Sequence, residues 1–179
     1  MATPAFGAKH VPAFLRPHGL HRTLVPTCLA LAGALLASGA QAYKVGDTVE
    51  PAVLERLGIS AGKVTVVDFF AEWCASCRKE LPLISAVSTR SNQKKVEFVG
   101  VDTDTDLAAG EAFQKELRAK NALNFRVVND PEQSVVRKFK PRGYPALYII
   151  KDGKITHEHL GALPNVDAVI ERDLKALGV

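Results

Sequence analysis

The sequence predicts an α/β domain with a central mixed sheet flanked by helices, preceded by an export leader. Three observations carry that expectation. Short apolar runs rich in β-branched residues alternate with stretches whose apolar residues recur at helical spacing, the pattern of parallel strands joined by right-handed crossovers. Asp152-Gly153 reads as a hairpin turn late in the chain and adds an antiparallel edge. Charge sets the first 42 residues apart. They carry Lys9, Arg16 and Arg22 and no acid, whereas residues 43–179 hold 20 Lys and Arg against all 19 acids.

With 47% hydrophobic residues in 179, the chain has enough apolar material for one core without a disulfide staple. A net charge of +1 over residues 43–179 leaves no basic footprint that would call for nucleic acid. The leader is read as a cleavable signal peptide over residues 1–42. Its basic stretch ends at Arg22, an uncharged run follows from Cys28 to Ala37, and Ala40-Gln41-Ala42 supplies the small-x-small cleavage pattern. A core helix and an uncleaved anchor are the alternatives. A membrane span needs about 20 apolar residues, and Pro26, Ser38 and Gln41 shorten this run. Cys28 precedes the apolar run, which argues against lipidation there. Cleavage after Ala42 would leave Cys74 and Cys77 as the cysteines of the mature domain, residues 43–179, in an oxidising, periplasmic compartment.

Along that domain, residues 43–62 form a lead-in punctuated by Gly46, Pro51, Gly58 and Gly62. Val64–Phe70 is a nearly continuous apolar run, the mark of a buried strand. From Arg78 to about Thr89, Leu81, Ile84 and Val87 recur at helical spacing, with Pro82 inside. Val96–Val101 is a second buried strand. Asp106 should cap a helix over about Leu107–Lys120. Phe125–Val128 is a short strand, and Asp130-Pro131 should open a helix to Phe139 with Pro at its first position. Ala146–Ile150 and Lys154–Leu160 flank the hairpin, and Asn165 should cap a last helix reaching Leu177.

Trp73-Cys74-Ala75-Ser76-Cys77 lies at the passage from strand to helix, and that placement gives the cysteines their chemistry. Unsatisfied N–H groups and the helix dipole at a helix N-terminus stabilise a thiolate at Cys74, and the thiolate is the nucleophile in disulfide exchange. Cys77 follows one turn later, near enough to bond Cys74. The expected cycle has two steps. Cys74 attacks a partner disulfide, and Cys77 then resolves the mixed disulfide. Resolution needs a proton acceptor. Glu80 is on the helix face of Cys77, and Asp68 is on the preceding strand in an apolar stretch that should raise its pKa.

Val67-Asp68-Phe69-Phe70-Ala71-Glu72-Trp73-Cys74, with Cys77 and then Pro82, resembles thioredoxin. Gly143-Tyr144-Pro145 resembles the loop of that family whose proline is cis and which contacts the substrate backbone. Cys77-Arg78-Lys79-Glu80-Leu81-Pro82, an extra strand-helix insertion near residues 102–128, Asp130, and Lys151-Asp152-Gly153-Lys154 followed by Gly161 are similar to the TlpA/ResA branch of exported thioredoxin-like proteins. The resemblance implies a thioredoxin-like fold over roughly residues 45–178. It also implies catalytic Cys74 and Cys77, supported by Asp68, Glu80, Trp73, Tyr144 and Pro145. Exported proteins with cysteines or disulfides would be the partners, apocytochromes and oxidase-assembly proteins among them. A membrane electron donor would recharge a monomeric enzyme that needs no cofactor. The chain departs from the branch in places. Asp68 stands where Asn is frequent, Ala146 stands where Thr is common, and the Gly-Val-x-Gly-x-Pro-Glu loop of cytochrome-maturation reductases is absent.

The same residues admit other readings. Cys74 and Cys77 could form a structural disulfide or half a zinc site, but no second such pair or paired His lies nearby in sequence. An oxidase or isomerase is the alternative direction; Ala75-Ser76 supplies no imidazole to Cys74, which favours a reductase. A copper chaperone is the alternative from another class, and the only Met is Met1, in the leader. Asp102, Asp104 and Asp106 have the spacing of a calcium loop, but Leu107 and Phe113 replace its Gly and Glu, so a solvated capping loop is expected. His157 and His159 share a strand face and read as surface polarity.

Overall fold

The computed structural model describes residues 42–179. The expected leader and its Cys28 lie outside the described residues, apart from Ala42. No helix among the described residues is long and apolar enough to cross a membrane.

The elements run α1 (Pro51–Leu57), β1 (Val64–Phe70), α2 (Ala75–Arg90), β2 (Val96–Asp102), α3 (Leu107–Ala119), β3 (Arg126–Asn129), α4 (Val136–Phe139), β4 (Ala146–Lys151), β5 (Lys154–Leu160) and α5 (Val166–Ala176). The sheet order is β3-β2-β1-β4-β5. β1, β2 and β3 are parallel, while β4 runs antiparallel to β1 and β5 antiparallel to β4. The expected mixed sheet is present. The antiparallel pairing reaches its centre, because β4 of the β4–β5 hairpin pairs with β1 and β5 forms the edge.

β1 is the middle strand and every one of its residues is buried. Alternation sends Val64, Val66 and Phe70 into one core, with Ile84 and Val87 of α2, Phe113 of α3 and Ile170 of α5. Val67 and Phe69 enter the other core, with Leu57 of α1, Phe139 of α4 and Tyr148. Burying each such side chain contributes about 1.5–3 kcal/mol. Asp152 and Gly153 both have positive φ, 51° and 74°, which closes the hairpin in the manner its strand twist requires.

Three local expectations need correction. The lead-in contains the helix α1, opened by Pro51 in its first turn and stopped by Gly58 at φ 60°. No helix begins at Pro131. The Asp130 carboxyl instead accepts Ser134 N–H, Ser134 Oγ, Val135 N–H and Val136 N–H, Gln133 turns to φ 58°, and only Val136–Phe139 is helical. Asn165 stands at the N-cap of α5 but its side chain makes no capping bond. Asp106 does cap α3, accepting Ala108 N–H and Ala109 N–H at 3.0 and 3.2 Å.

Candidate active site

β1 ends at Phe70, and Ala71-Glu72-Trp73 carries the chain to Cys74 at the N-cap of α2. Cys74 N–H bonds Ala71 O, and Arg78 N–H bonds Cys74 O, so the turn and the helix grip the cysteine from both sides. Cys74 and Cys77 form a disulfide with Sγ–Sγ 2.01 Å. Cys77 N–H donates to Cys74 Sγ at 3.1 Å, and Ser76 Oγ lies 3.5 Å from that sulfur. These dipoles face the atom that would carry negative charge when the bond opens. Cys74 is 5% exposed and Cys77 fully buried, so a partner can reach only Cys74.

Asp68 and Glu80 are both buried on the α2 side of the sheet; the sequence suggested burial for Asp68 and left Glu80 open. Neither Asp68 oxygen has a hydrogen-bond partner. Burial, and then the negative charge of Glu80, hold the Asp68 carboxyl well above the ordinary aspartate range. Glu80 accepts Leu163 N–H from the loop before α5. Burial raises its pKa as well, tempered by that bond. Two carboxyls that disfavour ionisation therefore lie near one another, Asp68 in the field of Glu80, on the face to which Cys77 belongs.

Trp73 is 63% exposed and meets Tyr144 edge to face, with centroids 5.2 Å apart. The Tyr144–Pro145 peptide is cis, as the resemblance implied. Pro145 is buried, and its carbonyl accepts Gly161 N–H. An open cleft of about 490 Å³ borders Trp73 and Tyr144, lined also by Glu72, Thr103, Asp104 and Gln133. The structure brings Trp73, Cys74, Cys77, Tyr144 and Pro145 to the end of the sheet where β1 finishes and β4 begins, with Asp68 inside β1 and Glu80 on α2.

Sequence reasoning missed two groups. Asp102 and Asp104 are buried, not solvated. Asp104 accepts Glu72 N–H at 2.7 Å and so fastens the loop that carries Trp73 and Cys74. Gln114 donates to Asp102, and Asp102 accepts Asp104 N–H. Gly110 allows α3 to approach so closely, since a Cβ there would lie 2.7 Å from Asp102 Oδ2. The available signal was position: Asp102 ends the strand that parallels β1, and Asp104 follows two residues later. His159 is also no mere surface polarity, because its Nε2 lies 2.6 Å from Oδ2 of buried Asp173. Among the described residues no group of three or more His, Cys, Asp or Glu is placed to hold a metal ion.

Comparison with known proteins agrees with this geometry. Residues 62–155 match the thioredoxin-like family. The thiol-disulfide oxidoreductase ResA of Bacillus anthracis is 29% identical over 102 residues, 56% of each chain. The match thus spans little more than half the length of that relative. A secreted disulfide oxidoreductase of Mycobacterium tuberculosis, homologous to DsbE, superposes with a TM-score of 0.51 at 30% identity, over 63% of this chain and 81% of that one. A Chlorobium tepidum protein assigned as thiol:disulfide interchange protein DsbE shares the fold, with a TM-score of 0.59 at 24% identity over 72% and 89% of the two chains.

Proposed function

The chain belongs to the thioredoxin-like family, and on that premise we propose that it is an exported protein-disulfide reductase. Residues 1–42 serve as its signal and residues 43–179 as the working domain. Its partners are exported proteins with accessible disulfides, and a membrane electron donor returns it to the dithiol state.

One observation carries the reading. An accessible cysteine at a helix N-terminus is bonded to a sealed one, on the sheet face that holds a buried, unpartnered carboxyl. In the reduced protein, Cys74 thiolate attacks a partner disulfide, forms a mixed disulfide and releases the first partner thiolate. Cys77 then gives its proton to the Asp68–Glu80 pair and attacks Cys74 Sγ. The partner leaves reduced and the Cys74–Cys77 bond is restored. A raised carboxyl pKa makes Asp68 and Glu80 better proton acceptors than ordinary carboxylates. Trp73, Tyr144 and Pro145 form the face against which the partner backbone lies, beside the open cleft.

The direction is tested by the reduction potential of the Cys74–Cys77 pair. A value near about −270 mV is expected of a reductant, and one near about −120 mV would make the protein an oxidase. The chemistry is tested by the Cys74→Ala/Cys77→Ala double variant, which should lose all insulin-reducing activity; retained activity would end the assignment.

A further inference from the structure

The sheet rung that contains Asp68 continues across β4 to β5. Asp68 of β1, Leu147 of β4 and His159 of β5 are direct register partners. They therefore lie on one rung of the sheet and on one face, the face covered by α2 and α5. Strand spacing sets the ends of this rung about 10 Å apart. Glu80 and His159 line the same narrow crevice, with Pro145 and Leu147 between them. His159 reaches this face through a bulge. Ile155 pairs with Ile150 and enters the opposite core, but the register slips before Ile149, which sets His157 and His159 on the α5 side. The His159 side chain keeps 21% exposure, whereas its partner Asp173 keeps 4%.

We propose that His159, held by Asp173, is the outlet through which the proton taken up by Asp68 and Glu80 passes to solvent. The inference rests on the proton-acceptor role given to those two carboxyls above. As Cys77 resolves the mixed disulfide, its S–H bond breaks and a Cys74–Cys77 bond forms. The bond from Cys74 to the partner breaks, and its electron pair leaves on the partner thiolate. The proton goes to the carboxyl pair, then to the imidazole of His159, then to water. The partner disulfide is the only oxidant consumed. The crevice is too narrow for a water molecule in the oxidised protein, so Glu80 passes its proton by releasing Leu163 N–H and turning toward β5.

The surroundings of His159 suit this task. Glu80 faces it from α2 and Asp173 from α5, His157 stands two residues along β5, and Leu147 of β4 is apolar. Arg172 bonds Oδ1 of Asp173 at 2.8 Å and leaves Oδ2 to His159. Burial alone would raise the Asp173 pKa, but the bonds from His159 and Arg172 outweigh it and the value is lowered. Asp173 thus stays charged and stabilises the imidazolium that forms. A residue that merely tied β5 to α5 would need only a donor, and glutamine would serve.

His159→Gln is therefore the test, because it can still donate to Asp173 but cannot relay a proton. Oxidation of the reduced protein by hydroxyethyl disulfide should slow at neutral pH by up to roughly a hundredfold. Its pH dependence should flatten, the reduction potential should stay that of wild type, and imidazole in the buffer should restore the rate. Asp173→Asn should slow the same oxidation and leave the reduction potential unchanged, and it serves if His159→Gln does not fold. An unchanged rate and profile in these variants, or a loss that imidazole does not restore, overturns the outlet while Glu80→Gln remains slow. A wild-type rate in Glu80→Gln overturns the acceptor role itself, and the outlet with it.

Discussion

Asp68 and Asp130 are buried alike, 2% and 0% exposed, and are provided for in opposite ways. Asp130, just past β3, accepts four hydrogen bonds, from Ser134 N–H and Oγ, Val135 N–H and Val136 N–H. Asp68, in the middle of β1, accepts none. A buried carboxyl with a full set of donors holds backbone in place and gains by being charged. One without donors is a liability when charged, so it is ready to hold a proton. The same residue type is a structural fastening in one place and a proton store in the other, and the donors around it decide which.

The largest effect should fall on the fastening. Asp130→Ala strips the acceptors from three backbone N–H groups and one hydroxyl at the start of α4, where Phe139 anchors a core. Stability should drop by about 3–5 kcal/mol, read as a shift of the urea midpoint with unchanged slope. A loss below about 1 kcal/mol would mean that water replaces the carboxyl, and the contrast with Asp68 would vanish.

Asp68→Asn should act in the other direction. Because burial raises the folded pKa of Asp68 above the ordinary 3.8, the folded chain binds this proton more tightly than the unfolded chain does. The stability it contributes is complete below the unfolded value and is lost as pH rises through the folded value. Wild-type protein should therefore weaken from mildly acid to alkaline pH. Asp68→Asn should flatten that slope and gain about 1–3 kcal/mol on the alkaline side. It should also slow resolution of the mixed disulfide. Denaturation at several pH values would show it; an identical slope in the variant would mean that Asp68 is charged at no cost. Glu80→Gln should change stability in the same sense but less, because the Leu163 N–H already supports the Glu80 carboxyl.

This contrast also marks where the sequence stopped being legible. The nearly continuous apolar run of β1 and the helical spacing of Leu81, Ile84 and Val87 in α2 located the elements around the cysteines, and the strand-to-helix passage gave Cys74 its place. Two prolines then misled: Pro51 reads as punctuation of a lead-in, and Asp130-Pro131 reads as a helix start. Glu50-Pro51 opens a helix and Asp130-Pro131 does not. The local signals are nearly the same, and both expectations went the wrong way. The deciding contact is the Asp130 carboxyl, which captures the N–H groups that a helix begun at Pro131 would orient differently. Burial decides it, and burial depends on the sheet behind. The His159–Asp173 bond was hidden for a similar reason. It needs the register slip in β5 and a helix 14 residues away, and neither is written in local spacing.

The smallest effect should be at Asp106, which has donors like Asp130 but lies exposed. It accepts Ala108 N–H and Ala109 N–H at the start of α3. Those N–H groups are reachable by water once the side chain is removed, so Asp106→Ala should cost about 1 kcal/mol, well short of Asp130→Ala. Asp106→Asn should recover most of the loss, because an amide oxygen accepts the same bonds. The urea midpoints of the three variants, measured together, separate the number of donors from their burial. If Asp106→Ala destabilised the protein as much as Asp130→Ala, the donors alone would set the effect, and the absence of donors around Asp68 would be its only distinguishing property.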